Sequence, residues 1–522
     1  MLPRLAIIGS GPAGFYTAAR VLNRLSHDVA IDMFEKLPVP HGLVRYGVAP
    51  DHPEVKTVMN RFDEVAQAPN FRFFGNVTVG QDIALAELKS MYDGIVFAYG
   101  ASGDRSLGLP EEHETRGVLS ARSFVGWYNG HPDYQDLNID LTSTDTAIVI
   151  GHGNVALDVA RVLLSPINTL ARTDITEPAL EQLKASRVRH VHLVGRRGPV
   201  QVQFTTKELR EMFHLPDVAF RVDTTVLDHE LNRCSEYISK KRPLKRLLAL
   251  LHKHASAPAL SAGPLPSRGP AIRTGLGKSW SLDFLRSPKA LVTDPIPNPP
   301  SVNDGHSRIL RAIELEHNRL VGLLEAPRAE GTGLSETLET GLLLRSIGYQ
   351  STPLDHEVPF NSERHVIPNV AGRVLAEVPA ALTTAAAEPS PKDVNTPTLS
   401  LAPAPGMYVS GWLKQGPVGI IVSTMNGAFE TGDSIVADFQ ARKHAPHAAQ
   451  SSTKDKPSEA LCGSGHSHDA LDLLNERGVH VVSYADWKRL EAHEFALGSS
   501  REKPREKIRH IAEMLDIIKR PL

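Results

Sequence analysis

Arg4-Leu5-Ala6-Ile7-Ile8-Gly9-Ser10-Gly11-Pro12-Ala13-Gly14-Phe15 opens the chain and decides how the rest of it is read. The apolar run Leu5 to Ile8 is too short to cross a membrane and suits a buried parallel strand. Helix-like sequence follows from Phe15 to Leu25, and a second apolar run, Val29 to Phe34, ends in the acid Glu35. Strand, glycine turn, helix, strand and terminal carboxylate form the context a dinucleotide fingerprint requires. Gly9 permits the tight turn, Gly11 lets the backbone approach a pyrophosphate, and Gly14 lets helix and strand pack closely. The pyrophosphate is expected at the helix N-terminus, where N–H groups and the dipole favour an anion. Glu35 is expected to hold ribose hydroxyls. The competing reading, a glycine turn with no ligand, leaves the paired strands and the placed acid unexplained.

A second unit begins at Ala147-Ile148-Val149-Ile150-Gly151-His152-Gly153-Asn154-Val155-Ala156. An apolar strand again runs into GxGxxA with a helix behind it, alanine being an allowed third position. Its second strand, His190 to Gly195, ends in Arg196-Arg197 rather than in an acid. A carboxylate suits a free 2′-hydroxyl, whereas guanidinium groups pair bidentately with a 2′-phosphate. The second seat is therefore expected to take NADP(H), and the first a nucleotide without that phosphate. The alternative for Arg196-Arg197 is a solvated surface pair.

Length and composition narrow the rest. With 522 residues, two nucleotide-binding domains are a natural division. A formal net charge of −2 argues against bulk nucleic-acid binding. The two cysteines, Cys234 and Cys462, are too far apart in sequence for a CxxC, a zinc ribbon or an iron–sulfur set. No apolar run has the length of a transmembrane helix. The first strand starts within a few residues of Met1, so no targeting segment is visible.

Between these anchors, Lys36 to Pro53 reads as an ordered loop without regular structure, folded back over the nucleotide. Helical periodicity is expected from Val55 to Val65, and short strands at 71–74 and 76–80. Further buried strands are expected at Gly94 to Ala101, Gly341 to Tyr349 and Gly406 to Trp412. Residues 257–280 read as a proline-, glycine- and serine-rich loop. Residues 376–405 read as a flexible insertion, and 443–467 as linker-like, with His466 and His468 exposed rather than metal-bound. Gly416 to Ile421 leads into a helix. An amphipathic region around Trp487 and a charged tail close the chain. Ser239 to Arg246 carries five positive charges; it is either a solvated face or a surface that steers an acidic partner.

A flavin-type dinucleotide beside NADPH implies hydride transfer onto an isoalloxazine ring. With no disulfide relay or internal cluster, the electrons are expected to leave singly to an external carrier. A flavin NADPH oxidase or quinone reductase is the alternative enzyme, and a flavin-bound interaction protein without turnover the non-enzymatic one.

The chain also resembles the adrenodoxin reductases, the mitochondrial-type ferredoxin–NADP reductases that contain FAD. The likeness rests on Gly9 to Tyr16, Val39 to Pro53, Phe124 to Gly130, Gly153 to Arg161, Gly195 to Pro199, Lys207 to Met212, Gly411-Trp412 and Lys503 to Lys507. It covers nearly the whole chain. It implies an α/β fold of two Rossmann-like domains, the NADP domain (106–335) inserted into a discontinuous FAD domain (1–105 and 336–522). It implies a tightly but non-covalently bound FAD, NADPH as substrate, and a small acidic [2Fe–2S] ferredoxin serving P450s or iron–sulfur cluster assembly. Gly9, Gly11, Ala13, Gly14, Glu35, Leu43, Val79, Trp412, Gly419, Ile420 and Ile421 are implied to hold FAD. Gly151, His152, Gly153, Asn154, Arg196, Arg197, Glu208 and Gly419 are implied for NADP. His52 and Asp158 align with polar groups near the flavin and nicotinamide, and Arg210, Arg242 and Arg246 with a ferredoxin-docking surface. A monomer in the mitochondrial matrix, peripheral to the inner membrane at most, is the implied setting. The chain departs from the family at His41, usually aromatic, at Gln415, usually basic, and in the 376–405 insertion.

Overall fold

The computed structural model describes residues 2–256, 277–296, 305–379, 399–419, 421–444 and 469–520. Arg4–Ile8 lies between Ala30–Glu35 and Gly94–Phe97 and runs parallel to both. Phe71–Gly75 extends the sheet beyond Ala30–Glu35, and Leu399–Val409 extends it beyond Gly94–Phe97. Arg373–Pro379 and Asn369–Val370 complete the seven strands by antiparallel pairing. Along the first strand Leu5 and Ile7 face one apolar cluster and Ala6 and Ile8 another, so both faces are covered. This explains why the strand is continuously apolar rather than alternating.

The second sheet has six strands, all parallel, in the order Val218–Val222, Lys278–Phe284, His190–Gly195, Thr146–Ile150, Leu342–Arg345, Val118–Ser120. The two units are joined by a short antiparallel ribbon, Gly103–Asp104 against Tyr349–Gln350. The return expected at residue 336 is therefore too early: 336 lies inside the Arg328–Glu339 strand, and Leu342–Arg345 still belongs to the second sheet. The apolar run at 342–344 suits either sheet, and the sequence pattern does not choose between them.

Other expectations also change. Arg286–Pro295, Arg308–Val321 and Arg328–Glu339 pair antiparallel in a four-stranded sheet that the sequence does not announce, its fourth strand, Thr115–Arg116, running parallel to Arg308–Val321. Its apolar side, Leu310, Ile313 and Leu315, packs on Ile148, Ile150 and Val194 of the second sheet. The loop at 36–53 contains one helical turn, Leu43–Tyr46. In the stretch 76–80 only Val79 makes a bridge, to Ile83. Both ends of the expected 376–405 insertion are strand, because Arg373–Pro379 and Leu399–Val409 pair with each other. Most of residues 257–280 and of 443–467, together with His466 and His468, lie outside the described residues.

The charged tail is buried, which its composition does not suggest. Lys503, Arg505, Glu506 and Lys507 are charged but buried. Lys503 pairs with Glu506 at 2.6 Å and Arg505 with Glu491 at 2.5 Å. Lys507 and Lys56 grip Asp174 from two sides at 2.9 and 2.6 Å. Beside them Arg45, on the turn that follows Gly42, meets Glu494 at 2.5 Å with both side chains fully buried. Glu494 also accepts the Ile508 N–H at 2.9 Å. Removing one partner of such a pair strands a charge without solvent. Glu494→Ala is accordingly expected to cost about 3–5 kcal/mol, read as a lower melting temperature by circular dichroism. An unchanged melting temperature would show that Arg45 is satisfied in another way.

Candidate functional site

The two glycine turns are built alike. Gly9 donates its N–H to the Phe34 carbonyl at 2.8 Å, and Gly151 donates to Val194 at 2.8 Å. Both adopt positive φ, +106° and +134°, which favours glycine. A Cβ on Gly14 would lie 2.2 Å from the Gly9 carbonyl oxygen, so helix and strand touch there. By contrast, a Cβ on Gly11 or Gly153 would meet no atom within 4 Å. Each of these glycines caps a helix, Pro12–Arg24 and Asn154–Leu164, and neither helix receives a side-chain cap. Two open cradles therefore face two uncapped helix N-termini, an arrangement that suits a pyrophosphate.

Around the first cradle, Glu35 accepts from Ser10 N at 3.1 Å and Ser10 Oγ at 2.7 Å, and from Leu37 N at 3.2 Å. It thus braces the turn and keeps lone pairs for a hydroxyl ligand. His41 donates its backbone N–H to Ser10 O at 3.0 Å, and a Cβ on Gly42 would stand 3.2 Å from Gly11, bringing half-buried Leu43 to the seat. His41 is buried among Phe15, Phe62 and Trp487, with ring centroids 5.6–5.9 Å away. This burial, followed by the charges of Arg45 and Arg505, drives its pKa well below the ordinary histidine value, so the imidazole packs as a neutral ring. From the far side Gly411 crosses over buried Ala13, and Trp412 stacks on Tyr349 at 5.2 Å. Val79 is buried in the sheet's second apolar cluster, Gly419 is exposed and Ile421 half-buried. Ile420 lies outside the described residues. Val418 and Val422 remain 64% and 54% exposed, an apolar surface that an aromatic ligand would cover. The turn, the acid, the open cradle and this apolar wall fit FAD.

In the second seat, the His152 ring sits edge-on to Phe284 at 5.0 Å, its Nε2 2.8 Å from the Leu193 carbonyl oxygen. Asn154 Oδ1 accepts the Thr205 N–H at 2.8 Å, tying the helix start to the helix that carries Glu208. Arg196 is exposed and Arg197 half-buried at the tip of the strand. Burial and the neighbouring Arg196 charge lower the Arg197 pKa. Among the described residues neither forms an ion pair, and two adjacent unpaired guanidinium groups suit a phosphate dianion.

Between the seats lies a cluster that sequence reasoning identified only in part. Arg161, 3% exposed, reaches Asp51 at 2.6 Å, Asp158 at 2.8 Å, Glu208 at 3.4 Å and Glu211 at 3.5 Å. His52 Nε2 lies 2.7 Å from Glu211 Oε2. Burial raises the Asp158 pKa, and burial with the Asp158 charge pushes Glu208 up to about 7. His52 and Asp158 are thus brought into one network, with Arg161 as the hub that was missed. The spacing Asp158-x-x-Arg161 on a helix was the available signal.

Arg210, Arg242 and Arg246 are exposed on two helices, Thr206–Phe213 and Arg242–Ala255, that pack through stacked Phe213 and His254, 3.8 Å apart. The three arginines, with Lys245, are exposed on these two packed helices and make no ion pair among the described residues.

A family model for pyridine nucleotide-disulphide oxidoreductases matches residues 3–241. The mitochondrial NADPH:adrenodoxin oxidoreductase of Homo sapiens is 44% identical over 520 residues, covering 99% of this chain and 92% of that protein. The corresponding protein of Arabidopsis thaliana is 39% identical over 506 residues, covering 97% and 93%. Among solved structures, Mycobacterium tuberculosis FprA in complex with NADPH matches with a TM-score of 0.80 and 35% identity, covering 99% of this chain and all of that one.

The Glu208 carboxyl carries a pH signature. Its folded pKa near 7 exceeds the ordinary 4.5, so the folded state holds the extra proton between those values and loses stability as pH rises across them. Glu208→Gln removes this loss. The variant is expected to melt a few degrees above the parent at pH 8, with the gain vanishing near pH 4.5. A gain independent of pH would refute the assignment.

Proposed function

The chain belongs to the NADPH:adrenodoxin oxidoreductase family, and from that membership we propose how its two seats divide the work of an NADPH-dependent flavoprotein reductase. The cofactor is FAD and the electron donor NADPH; the acceptor is a ferredoxin-type protein. Bound FAD supplies a centre that takes a hydride and gives up electrons one at a time. The observation that carries the reading is the contrast between two like cradles, one beside a strand ending in Glu35 and the other beside unpaired Arg196 and Arg197.

In this reading Gly9, Gly11, Ala13, Gly14, Glu35, Leu43, Val79, Trp412, Gly419, Ile420 and Ile421 seat FAD. Gly151, His152, Gly153, Asn154, Glu208 and Gly419 seat the nicotinamide nucleotide, and the Arg196-Arg197 pair grips its 2′-phosphate. His52, beside Glu211, and Asp158, beside Arg161, hold protons in the cleft between the seats. The domain seams fall at the ribbon: 2–103 and 350–520 form the FAD domain, and 104–349 the NADP domain. The acceptor is an acidic [2Fe–2S] protein that docks on Arg210, Arg242 and Arg246, its electrons serving P450s or iron–sulfur cluster assembly. The enzyme is mitochondrial, in keeping with its named relatives, and works as a monomer. No helix among the described residues is long and apolar enough to cross a membrane, and any association with the inner membrane is peripheral.

The decisive assay is NADPH-driven cytochrome c reduction with and without a [2Fe–2S] ferredoxin. Strong stimulation by ferredoxin is expected; its absence would favour an oxidase or quinone reductase. Neutralising Arg196 and Arg197 together should weaken NADPH by about 100-fold or more while sparing NADH, since each charge-assisted pairing contributes about 1.5–3 kcal/mol. Equal losses for the two nucleotides would remove the phosphate from their role. Reversing charge at Arg242 and Arg246 should raise the ferredoxin KM about tenfold and flatten its salt dependence, with ferricyanide reduction unchanged.

A further inference from the structure

The Arg196-Arg197 turn does not stand alone at the end of its strand. The antiparallel sheet holds it from beneath. Asn318 interrupts the Arg308–Val321 strand at a register shift against Arg328–Glu339, between the Glu316 and Asn318 pairs. At this irregularity its side chain is 8% exposed and turned toward the second sheet. The amide nitrogen donates to the Arg196 carbonyl oxygen at 3.0 Å and to Ser287 Oγ at 2.8 Å. Its backbone N–H donates to Leu285 O at 2.8 Å, and Leu285 N–H donates to the Arg197 carbonyl oxygen at 3.2 Å. Leu285 pays for this position with a positive φ of +56°, unusual for a branched side chain. Both peptide carbonyls of the arginine pair are thus anchored, and both anchors lead to Asn318.

We propose that Asn318 is a positioning residue for nucleotide choice: it holds the Arg196-Arg197 turn so that both guanidinium groups converge on a 2′-phosphate. The inference rests on the reading of those arginines as the phosphate pair. Two long side chains carrying like charge would otherwise diverge into solvent, since neither has a carboxylate partner among the described residues and the two cations repel each other. Fixing the backbone beneath them reduces the ordering cost of gripping one anion, much as outer hydrogen bonds orient the ligands of a metal. The amide is suited to this task. Only the nitrogen end of an asparagine can face a carbonyl oxygen, and its second hydrogen is taken by Ser287, which fixes the flip. Because Asn318 touches the turn through its backbone, it should matter only to a ligand that the two side chains hold.

The test compares 2′,5′-ADP with 5′-ADP binding, and NADPH with NADH kinetics, in the FAD-loaded enzyme. Asn318→Ala is expected to weaken 2′,5′-ADP and raise the NADPH KM about tenfold, leaving 5′-ADP affinity, the NADH KM and kcat within about twofold. Ser287→Ala, a milder change at a half-buried site, should move the preference in the same direction by a smaller factor. In an Arg196→Ala, Arg197→Ala background Asn318→Ala should have no further effect on either nucleotide. Equal losses for phosphorylated and unphosphorylated ligands would overturn the proposal and make Asn318 a fold residue. So would additivity with the arginine changes. If Asn318→Ala does not fold, an unchanged preference in Ser287→Ala overturns it. Failure of the arginine reading itself has a different signature, namely a double arginine variant that keeps its preference for 2′,5′-ADP.

Discussion

One guanidinium holds the two halves of the enzyme in working relation. Arg161 rises from the helix behind the second glycine turn, yet it is bonded through two nitrogens to Asp51, which lies on the loop that follows the first unit. The remaining carboxylates, Asp158, Glu208 and Glu211, crowd the same cation. Hydride transfer requires its two reacting rings in contact, and contact between separate seats is a matter of ångströms. A buried arginine with several acidic partners is well suited to set that spacing, because its planar fork accepts them in fixed directions and it keeps its charge at any working pH. The surplus of carboxylate around it has a consequence for chemistry. Burial raises Asp158, and burial with the Asp158 charge pushes Glu208 up to about 7, so the Glu208 carboxyl exchanges its proton near neutrality.

Much of the fold was legible because nucleotide seats are local objects. Strand, turn, helix and closing residue lie within a few dozen positions, and glycine at a positive-φ turn has few substitutes. The placement of Glu35, Arg196 and Arg197 at the tips of their strands could be read for the same reason: each stands at a fixed distance from its turn. What could not be read is long-range. Lys503 to Lys507 looks solvated by composition, since lysine and glutamate are seldom buried. Of the partners that make burial tolerable, Asp174 and Glu177 are remote in sequence, and Glu491 and Glu494 lie on the preceding helix, whose packing against the segment the sequence does not show. The antiparallel sheet was missed because its strands carry many charges on the outward side and a weak apolar alternation on the other. Asn318 had no signal at all, for its meaning comes from an irregularity in strand pairing.

The two cradles also show how one local design serves different ligands. The open space before Gly11 and Gly153 is the same, and both helix ends are uncapped. The difference is made at the tip of the next strand and by what covers the turn. At the first seat the covering loop is bonded to Ser10 and then pinned through Arg45 to Glu494, so the loop over the turn is part of the core. At the second the arginine tip is open to solvent. A resident cofactor and an exchanging substrate need that asymmetry.

The double grip on Asp174 has a consequence for the life of the chain before it is an enzyme. Lys56 comes from the beginning, Asp174 from the second unit and Lys507 from the closing segment. During synthesis the first two emerge several hundred residues ahead of the third. Arg505 and Lys503 come with Lys507 in the same short segment, so the acids at Glu491 and Glu494 gain their cation from it only then. The loop over the first glycine turn is therefore pinned by residues translated long after the turn itself.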